Sequence, residues 1–166
     1  DVKSGTELGE EMVKIDSSLA DSTFYVKMAT AHEKDSAYAK AGELAARGVA
    51  KFPSNTTLLG LLGQAQLKGG QQQQAIATFH RILAINPKEP KIRMLIANTF
   101  DEMGQPDSTL VALREAKAAG EDGQTVGTNA LIIGNRFFKL GQETLNKAQQ
   151  SKSTEDYLAA IAANEK

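Results

Sequence analysis

Two similar stretches, K51-F52-P53-S54-N55 and I85-N86-P87-K88, frame the most informative part of the chain. Pro53 and Pro87 are 34 residues apart. Between them, residues 56–67 and 71–85 carry helical patterns of apolar residues and are separated only by the helix breaker K68-G69-G70. This stretch therefore predicts a pair of antiparallel helices, and a period of this length is typical of stacked helical repeats.

Small and aromatic residues recur at fixed positions within this stretch, namely Leu59, Leu62, Gly63, Gly70, Ala75, Phe79 and Pro87. Together they resemble the motif of the tetratricopeptide repeat. Gly63 and Ala75 lack bulky side chains where the helices cross, so the helix axes can approach to roughly 8–10 Å, and Phe79 fills the space beyond. Pro87 has no N–H and disfavours α geometry at Asn86, so we expect the second helix to end there.

The register extends in both directions and predicts one tetratricopeptide-repeat domain over residues 1–166. Its parts are the second helix of a partial repeat at 1–19, repeats at 22–55, 56–89 and 90–123, and a divergent repeat at 124–166 that is truncated at the C-terminus. The fold class is all-α, and the resemblance implies a right-handed superhelix of antiparallel helix pairs. The expected helices span residues 22–33, 37–51, 56–68, 71–85, 89–103, 106–119, 126–150 and 154–165.

Some positions depart from the motif. Ala45 and Gly48 stand where bulkier or better helix-forming residues are usual, and an interior glycine costs about 1 kcal/mol of helix stability, so we expect the repeat at 22–55 to be thinly packed. Thr109 stands where the motif has a small alanine. Gly134 and Gly141 match the motif only if three residues are inserted around residues 121–123, and the helix that contains them is expected to be lengthened.

The composition excludes several classes of partner. A net charge of −1 with both signs evenly mixed gives no electrostatic reason to expect nucleic acid or anionic lipid. No apolar run approaches the roughly 20 residues that cross a bilayer, so we expect no membrane insertion, and any targeting segment would lie outside this chain. The absence of cysteine excludes disulfides and thiolate zinc sites, and it favours a bacterial protein that is exported, for example to the periplasm, with the cytoplasm as the alternative.

Candidate catalytic residues do not converge. His32 and His80 belong to different repeats, and neither has an acidic partner or a nucleophile at a suitable spacing. The acidic pairs Asp101-Glu102 and 121–122 consist of adjacent residues, which diverge by about 100° on a helix and are expected to be solvated. The sequence therefore predicts no catalytic, cofactor or metal site.

One position of the first helices repeatedly carries a polar, uncharged residue: Thr30, Gln64, Asn98 and Asn135. In tetratricopeptide arrays this position faces the concave groove, so the resemblance implies a polar ladder along it. Because an amide both donates and accepts hydrogen bonds, such a ladder suits an extended peptide; the alternative is a face that is polar only because it is solvated. The predicted peptide-binding residues are Gln64, Lys91, Met94, Asn98, Leu131, Asn135 and Phe138.

These features favour a non-enzymatic scaffold that binds a protein or peptide partner in the concave groove. A second interpretation is a regulatory or targeting region of a larger enzyme whose catalytic domain lies outside residues 1–166. A third is a structural module that self-associates through its open terminal helices.

Overall fold

The computed structural model describes residues 20–151 together with Gly5, Glu7–Gly9 and Glu11, and it describes side chains as far as residue 147. Within these residues the regular secondary structure is entirely helical. The chain divides into two compact units, residues 1–87 and residues 88–166. The predicted helix at 154–165 and most of the predicted partial repeat at 1–19 lie outside the described residues.

The all-α fold class is confirmed. Residues 20–151 contain the helices α1 (Ser22–Lys34), α2 (Tyr38–Lys51), α3 (Thr56–Lys68), α4 (Gln72–Ile85), α5 (Pro90–Glu102), α6 (Pro106–Ala118) and α7 (Gly123–Ser151). The first six agree with the predicted bounds to within one residue. α7 begins three residues before the predicted helix at 126–150 and has 29 residues, whereas α1 to α6 have 13 or 14. None of the helices among the described residues combines the length and the apolar character needed to cross a membrane.

The 34-residue period is present in the backbone of the turns. Ser36, Gly70 and Gly104 follow one another at this spacing, and they have φ angles of 58°, 73° and 69°. Each turn is closed by the same hydrogen bond: Ala37 N to His32 O at 2.8 Å, Gln71 N to Gln66 O at 2.8 Å and Gln105 N to Phe100 O at 2.9 Å. The left-handed residue lets the chain reverse directly after a helix, so three hairpins share one turn geometry.

Side-chain caps define where several helices begin. Asp21 Oδ1 accepts a hydrogen bond from Phe24 N at 2.7 Å, and Asn55 Oδ1 accepts one from Leu58 N at 3.0 Å. Each bond satisfies a backbone donor that has no partner within the helix. Asn55 therefore fixes the start of α3 directly after the Pro53 stop.

In the first unit, α1 packs on α2, α2 on α3, α3 on α4, and α1 also contacts α3. Gly63 allows α3 to lie against α4, because a methyl group at Gly63 would overlap the ring of Phe79. Phe79 and Ala75 are completely buried. The predicted close contact of these two helices is thus explained by one aromatic ring seated against a glycine.

The thin packing expected of the repeat at 22–55 is not found at Gly48 and Ala45, the two residues on which the expectation rested. A Cβ atom on Gly48 would lie 2.8 Å from Tyr25 Cβ and 2.9 Å from Leu58 Cδ1. Ala45 is also completely buried. Gly48 is a place where neighbouring helices approach closely, so its poor helix propensity accompanies close packing.

The second unit is formed by α5, α6 and α7, in which α6 packs on both α5 and α7. Arg93 on α5 forms an ion pair with Glu115 on α6 at 2.8 Å. Thr109 is completely buried, and its hydroxyl donates to Gln105 O at 2.8 Å. A threonine can replace the small alanine of the motif because its hydroxyl is satisfied within its own helix.

Asp122 caps α7 and gives a pH-dependent prediction. Its Oδ2 accepts from Thr125 N at 2.7 Å and from Thr125 Oγ1 at 2.9 Å. The Thr125 backbone bond, then its hydroxyl bond, then a bond from Gln124 N lower the pKa of Asp122 below its ordinary value of 3.8. The cap's contribution is therefore fully present above the unfolded-state pKa and is lost as the pH falls through the lower folded-state pKa.

We expect an NMR titration from about pH 6 to about pH 2 to show the Thr125 amide signal moving with a midpoint below 3.8. In the Asp122→Ala variant this transition should disappear, and the first turn of α7 should exchange its amide hydrogens faster at neutral pH. A wild-type midpoint at or above 3.8 would contradict the proposed cap.

Candidate interaction surface

An ion pair joins α5 and α7 in the second unit. Arg136 Nη1 on α7 donates to Asp101 Oδ2 on α5. The Asp101 side chain is only 11% exposed, whereas that of Arg136 is 55% exposed. The expectation that the Asp101-Glu102 pair is solvated is therefore wrong for Asp101, which is largely buried, and holds for Glu102, which is exposed.

Two of the predicted amides lie beside this ion pair. Asn98 is one helical turn before Asp101 on α5, and Asn135 directly precedes Arg136 on α7; both are exposed. Their side chains are open to solvent on two helices that are held together by a charged contact. The structure thus places two amides where a partner can reach them.

Leu131 and Phe138 form an exposed apolar pair on α7. Each is 64% exposed. They are seven residues apart, which places them on one side of the helix about 10 Å from each other. Single exposed apolar residues are normal on protein surfaces, but two large ones on one helix side form a patch suited to contact with another molecule.

The two remaining predicted residues of this unit, Lys91 and Met94, differ in exposure. Lys91 on α5 is exposed. Lys139, which follows Phe138 and is not one of the predicted residues, is exposed as well. Met94, in contrast, is only 9% exposed, so its side chain is packed into the protein instead of offering an open apolar contact. The binding role predicted for these residues stays a prediction.

Gln64 belongs to the first unit. It is exposed on α3. Its neighbour two residues later, Gln66, is half-buried and accepts a hydrogen bond from Thr78 Oγ1 at 2.8 Å. Gln64 is thus open to solvent, and its membership of the predicted ladder stays a prediction.

Sequence reasoning missed a cavity of about 410 Å³ in the first unit, between α2, α3 and the turn that follows α3. Its lining residues are Tyr38, Ala39, Gly42, Ala46, Leu62, Ala65, Gln66, Gly69 and Gln71. Lys68 Nζ lies 5.9 Å from the centre of the Tyr38 ring. The available signal was Ala39, Gly42 and Ala46 on α2, whose small side chains line this space, whereas Ala45 and Gly48 of the same helix are packed against its neighbours.

Sequence reasoning also missed two further exposed apolar residues on α7. Ile132 is 51% exposed and Leu140 is 54% exposed. They lie on a different side of α7 from Leu131 and Phe138. Among the side chains described, no three histidine, aspartate or glutamate residues are arranged to hold a metal ion.

Comparison with known sequences identifies one family. The sequence profile of the tetratricopeptide repeat matches residues 34–99. No curated protein matches the chain in sequence.

Solved structures of this fold resemble the chain over most of its length. MamA is 15% identical and has a TM-score of 0.65, with 96% of this chain and 86% of MamA covered. The Yersinia enterocolitica type III secretion chaperone SycD, solved in complex with a peptide of the translocator YopD, is 15% identical with a TM-score of 0.63, covering 71% of this chain and 97% of SycD. The Sgt2 tetratricopeptide-repeat domain from Aspergillus fumigatus is 15% identical with a TM-score of 0.62, covering 73% of this chain and 82% of that domain.

The sequence match and the shared fold agree with the repeated hairpins and with their 34-residue turn period. Residues 34–99 match the tetratricopeptide-repeat family in sequence, and the chain as a whole shares its fold with the solved structures named above.

Proposed function

We propose that this chain is a non-enzymatic protein-interaction module and that its second unit binds a segment of a partner protein. The observation that carries the proposal is the exposed pair Leu131 and Phe138, with the exposed Asn135 between them on α7. Asn98 is exposed on α5, which the Asp101–Arg136 ion pair joins to α7. The tetratricopeptide-repeat match of residues 34–99 and the fold shared with SycD, which was solved with a peptide, support an interaction role. The proposed surface consists of Lys91 and Asn98 on α5 and of Leu131, Asn135 and Phe138 on α7.

The apolar pair would supply most of the binding free energy. Burying one large aliphatic or aromatic side chain contributes about 1.5–3 kcal/mol. Since Leu131 and Phe138 are each 64% exposed, a partner can still bury most of their surface. We therefore propose that the partner segment carries two apolar side chains that reach these positions.

The amides would fix the partner's backbone. An extended segment has unpaired N–H and C=O groups, and an asparagine can bond to both kinds. The exposed cations Lys91 and Lys139 lie on the same helices, so a segment with acidic residues would be favoured electrostatically. The proposed ligand class is thus an extended, acidic segment with apolar anchors.

The test begins with a partner captured from the native source, identified by mass spectrometry and then produced as a pure protein or peptide. We expect the Asn98→Ala/Asn135→Ala double variant to bind it about tenfold more weakly, because each lost amide bond costs about 0.5–1.5 kcal/mol. Isothermal titration calorimetry would measure the change. The variant should keep wild-type stability, since both residues are exposed.

Gln73→Ala/Gln74→Ala is the matched control, because it also removes two exposed amides but on α4. We expect its affinity to equal that of the wild type. If the asparagine double variant and this control bind with equal affinity, Asn98 and Asn135 do not contribute to binding. Sedimentation at several protein concentrations would reveal self-association, the rival role for an exposed apolar patch.

A further inference from the structure

The cavity of the first unit has the size of a small-molecule site. Its volume of about 410 Å³ falls within the range of roughly 300–1,000 Å³ that is typical of ligand pockets. All of its lining residues lie between positions 38 and 71, within the first unit. It is therefore separate from the surface proposed on α5 and α7, and it can have a ligand of its own.

The cavity is open to solvent along one side of α2. A Cβ atom on Gly42 would lie 3.1 Å from Ala65 Cβ, so α2 and α3 approach closely at this point of the wall. Ala39 and Ala46, about one helical turn before and after Gly42, also line the cavity and are exposed. Their methyl groups leave the entrance open, so a ligand can enter from solvent between α2 and α3.

Tyr38 and Leu62 supply the largest apolar surfaces of the cavity. Both residues line it and both are half-buried, so each still presents part of its side chain to the open space. Burying apolar surface contributes about 25 cal/mol per Å² that is removed from water. The walls therefore favour a ligand with an apolar chain or ring.

The polar groups at the cavity favour an anionic end on this ligand. Gln66 Oε1 accepts from Thr78 Oγ1 at 2.8 Å, and the NH2 group of the same side chain remains to donate. Lys68 precedes the lining residue Gly69, and its Nζ lies 5.9 Å from the centre of the Tyr38 ring, where cation–π attraction holds it. None of the nine lining residues is charged, so no carboxylate on the wall competes for this ammonium group.

We propose that the cavity binds a small amphipathic carboxylate, that is, an apolar chain or ring that ends in a carboxylate group. The apolar part lies against Tyr38 and Leu62. The carboxylate lies at the edge of the cavity, where it pairs with the Lys68 ammonium and accepts from the Gln66 amide. This site goes beyond the proposed binding of a partner protein and does not depend on it.

Octanoate, octan-1-ol and octylamine are suitable probes, because they share one apolar chain and differ only in the polar end. Each is titrated into the whole chain, and amide NMR signals report both the affinity and the place of binding. We expect octanoate to shift the Gly42 and Gly69 signals saturably. It should bind about threefold more tightly than octan-1-ol, because an exposed ion pair adds a modest attraction, and octylamine should bind most weakly.

Two alanines of α2 test the place of binding. Ala46 and Ala50 are both exposed, but only Ala46 lines the cavity. We expect Ala46→Phe to weaken octanoate binding by at least about tenfold, because the ring occupies the space that the apolar chain would fill. The matched control Ala50→Phe should bind as the wild type does. Thermal unfolding would show that both variants are folded, as expected for exposed positions.

Two lysines test the charge. Lys68→Glu should weaken octanoate binding by about tenfold, strengthen octylamine binding and leave octan-1-ol binding unchanged. The matched control Lys40→Glu makes the same change in charge at an exposed residue of α2 that does not line the cavity, and it should leave all three affinities unchanged. The proposal is overturned if octanoate gives no saturable shift at Gly42 and Gly69, if Ala46→Phe binds octanoate as tightly as the wild type, or if Lys68→Glu does not alter octanoate binding.

Discussion

Replacing Phe79 by alanine is expected to lower the free energy of unfolding by about 3–5 kcal/mol, the largest stability effect of any single substitution considered for this chain. Phe79 is completely buried between α3 and α4. Its ring fills the space that Gly63 leaves open, and the surrounding helices cannot close this space without moving against each other. The variant thus loses both the burial of the ring and its packing contacts.

Urea unfolding followed by circular dichroism would measure the change. Phe138→Ala is the matched control, because it removes the same side chain from a site that is 64% exposed, and we expect a change within about 0.5 kcal/mol. A loss of similar size in both variants would mean that Phe79 is not a central packing residue. If Phe79→Ala does not fold, a loss of helical signal at zero urea gives the same answer.

The sequence predicted the architecture because its determinants are local and repeat. Pro53 and Pro87 mark helix ends at a fixed spacing, and Gly70 and Gly104 mark turns at the same spacing. Each signal acts through the backbone of its own residue, so it can be recognised without knowing its neighbours in space. Six helices consequently begin and end within one residue of their predicted bounds.

The errors concern contacts between residues that are distant in sequence. Gly48 weakens its own helix, and only the positions of Tyr25 and Leu58 show that its missing side chain makes room for both. Asp101 was expected to be solvated, but its partner Arg136 is 35 residues away. Helical periodicity gives the direction of a side chain and does not reveal which distant residue meets it.

The sequence predicted the exposure of most, but not all, of the candidate surface residues. Counting along the repeats identified Asn98, Asn135, Leu131 and Phe138, and all four are exposed. The same counting selected Met94, which is buried. A repeat register places residues on a side of a helix, whereas exposure also depends on how neighbouring side chains cover that side.

Binding of the partner is expected to weaken by at least about a hundredfold in the Leu131→Asp/Phe138→Asp double variant. Each apolar side chain contributes about 1.5–3 kcal/mol when a partner buries it, and 1.4 kcal/mol corresponds to a factor of ten in affinity. The introduced carboxylates add to this loss, because burying an unpaired charge is unfavourable. They would also repel the acidic segment that we propose as the ligand.

Stability should change little, because both residues are 64% exposed and few native contacts are lost. Thermal unfolding would verify this before the affinity is measured by calorimetry. The effect on binding can then be assigned to the surface itself.

Ile132→Asp/Leu140→Asp is the matched control on the same helix. It replaces two apolar residues that are 51% and 54% exposed, and it makes the same change in charge, but on a different side of α7. We expect this control to bind within about threefold of the wild type, because its carboxylates lie outside the proposed surface. Equal weakening by both double variants would show that the partner responds to the charge of α7 and not to contact with Leu131 and Phe138, and the proposed site would then be wrong.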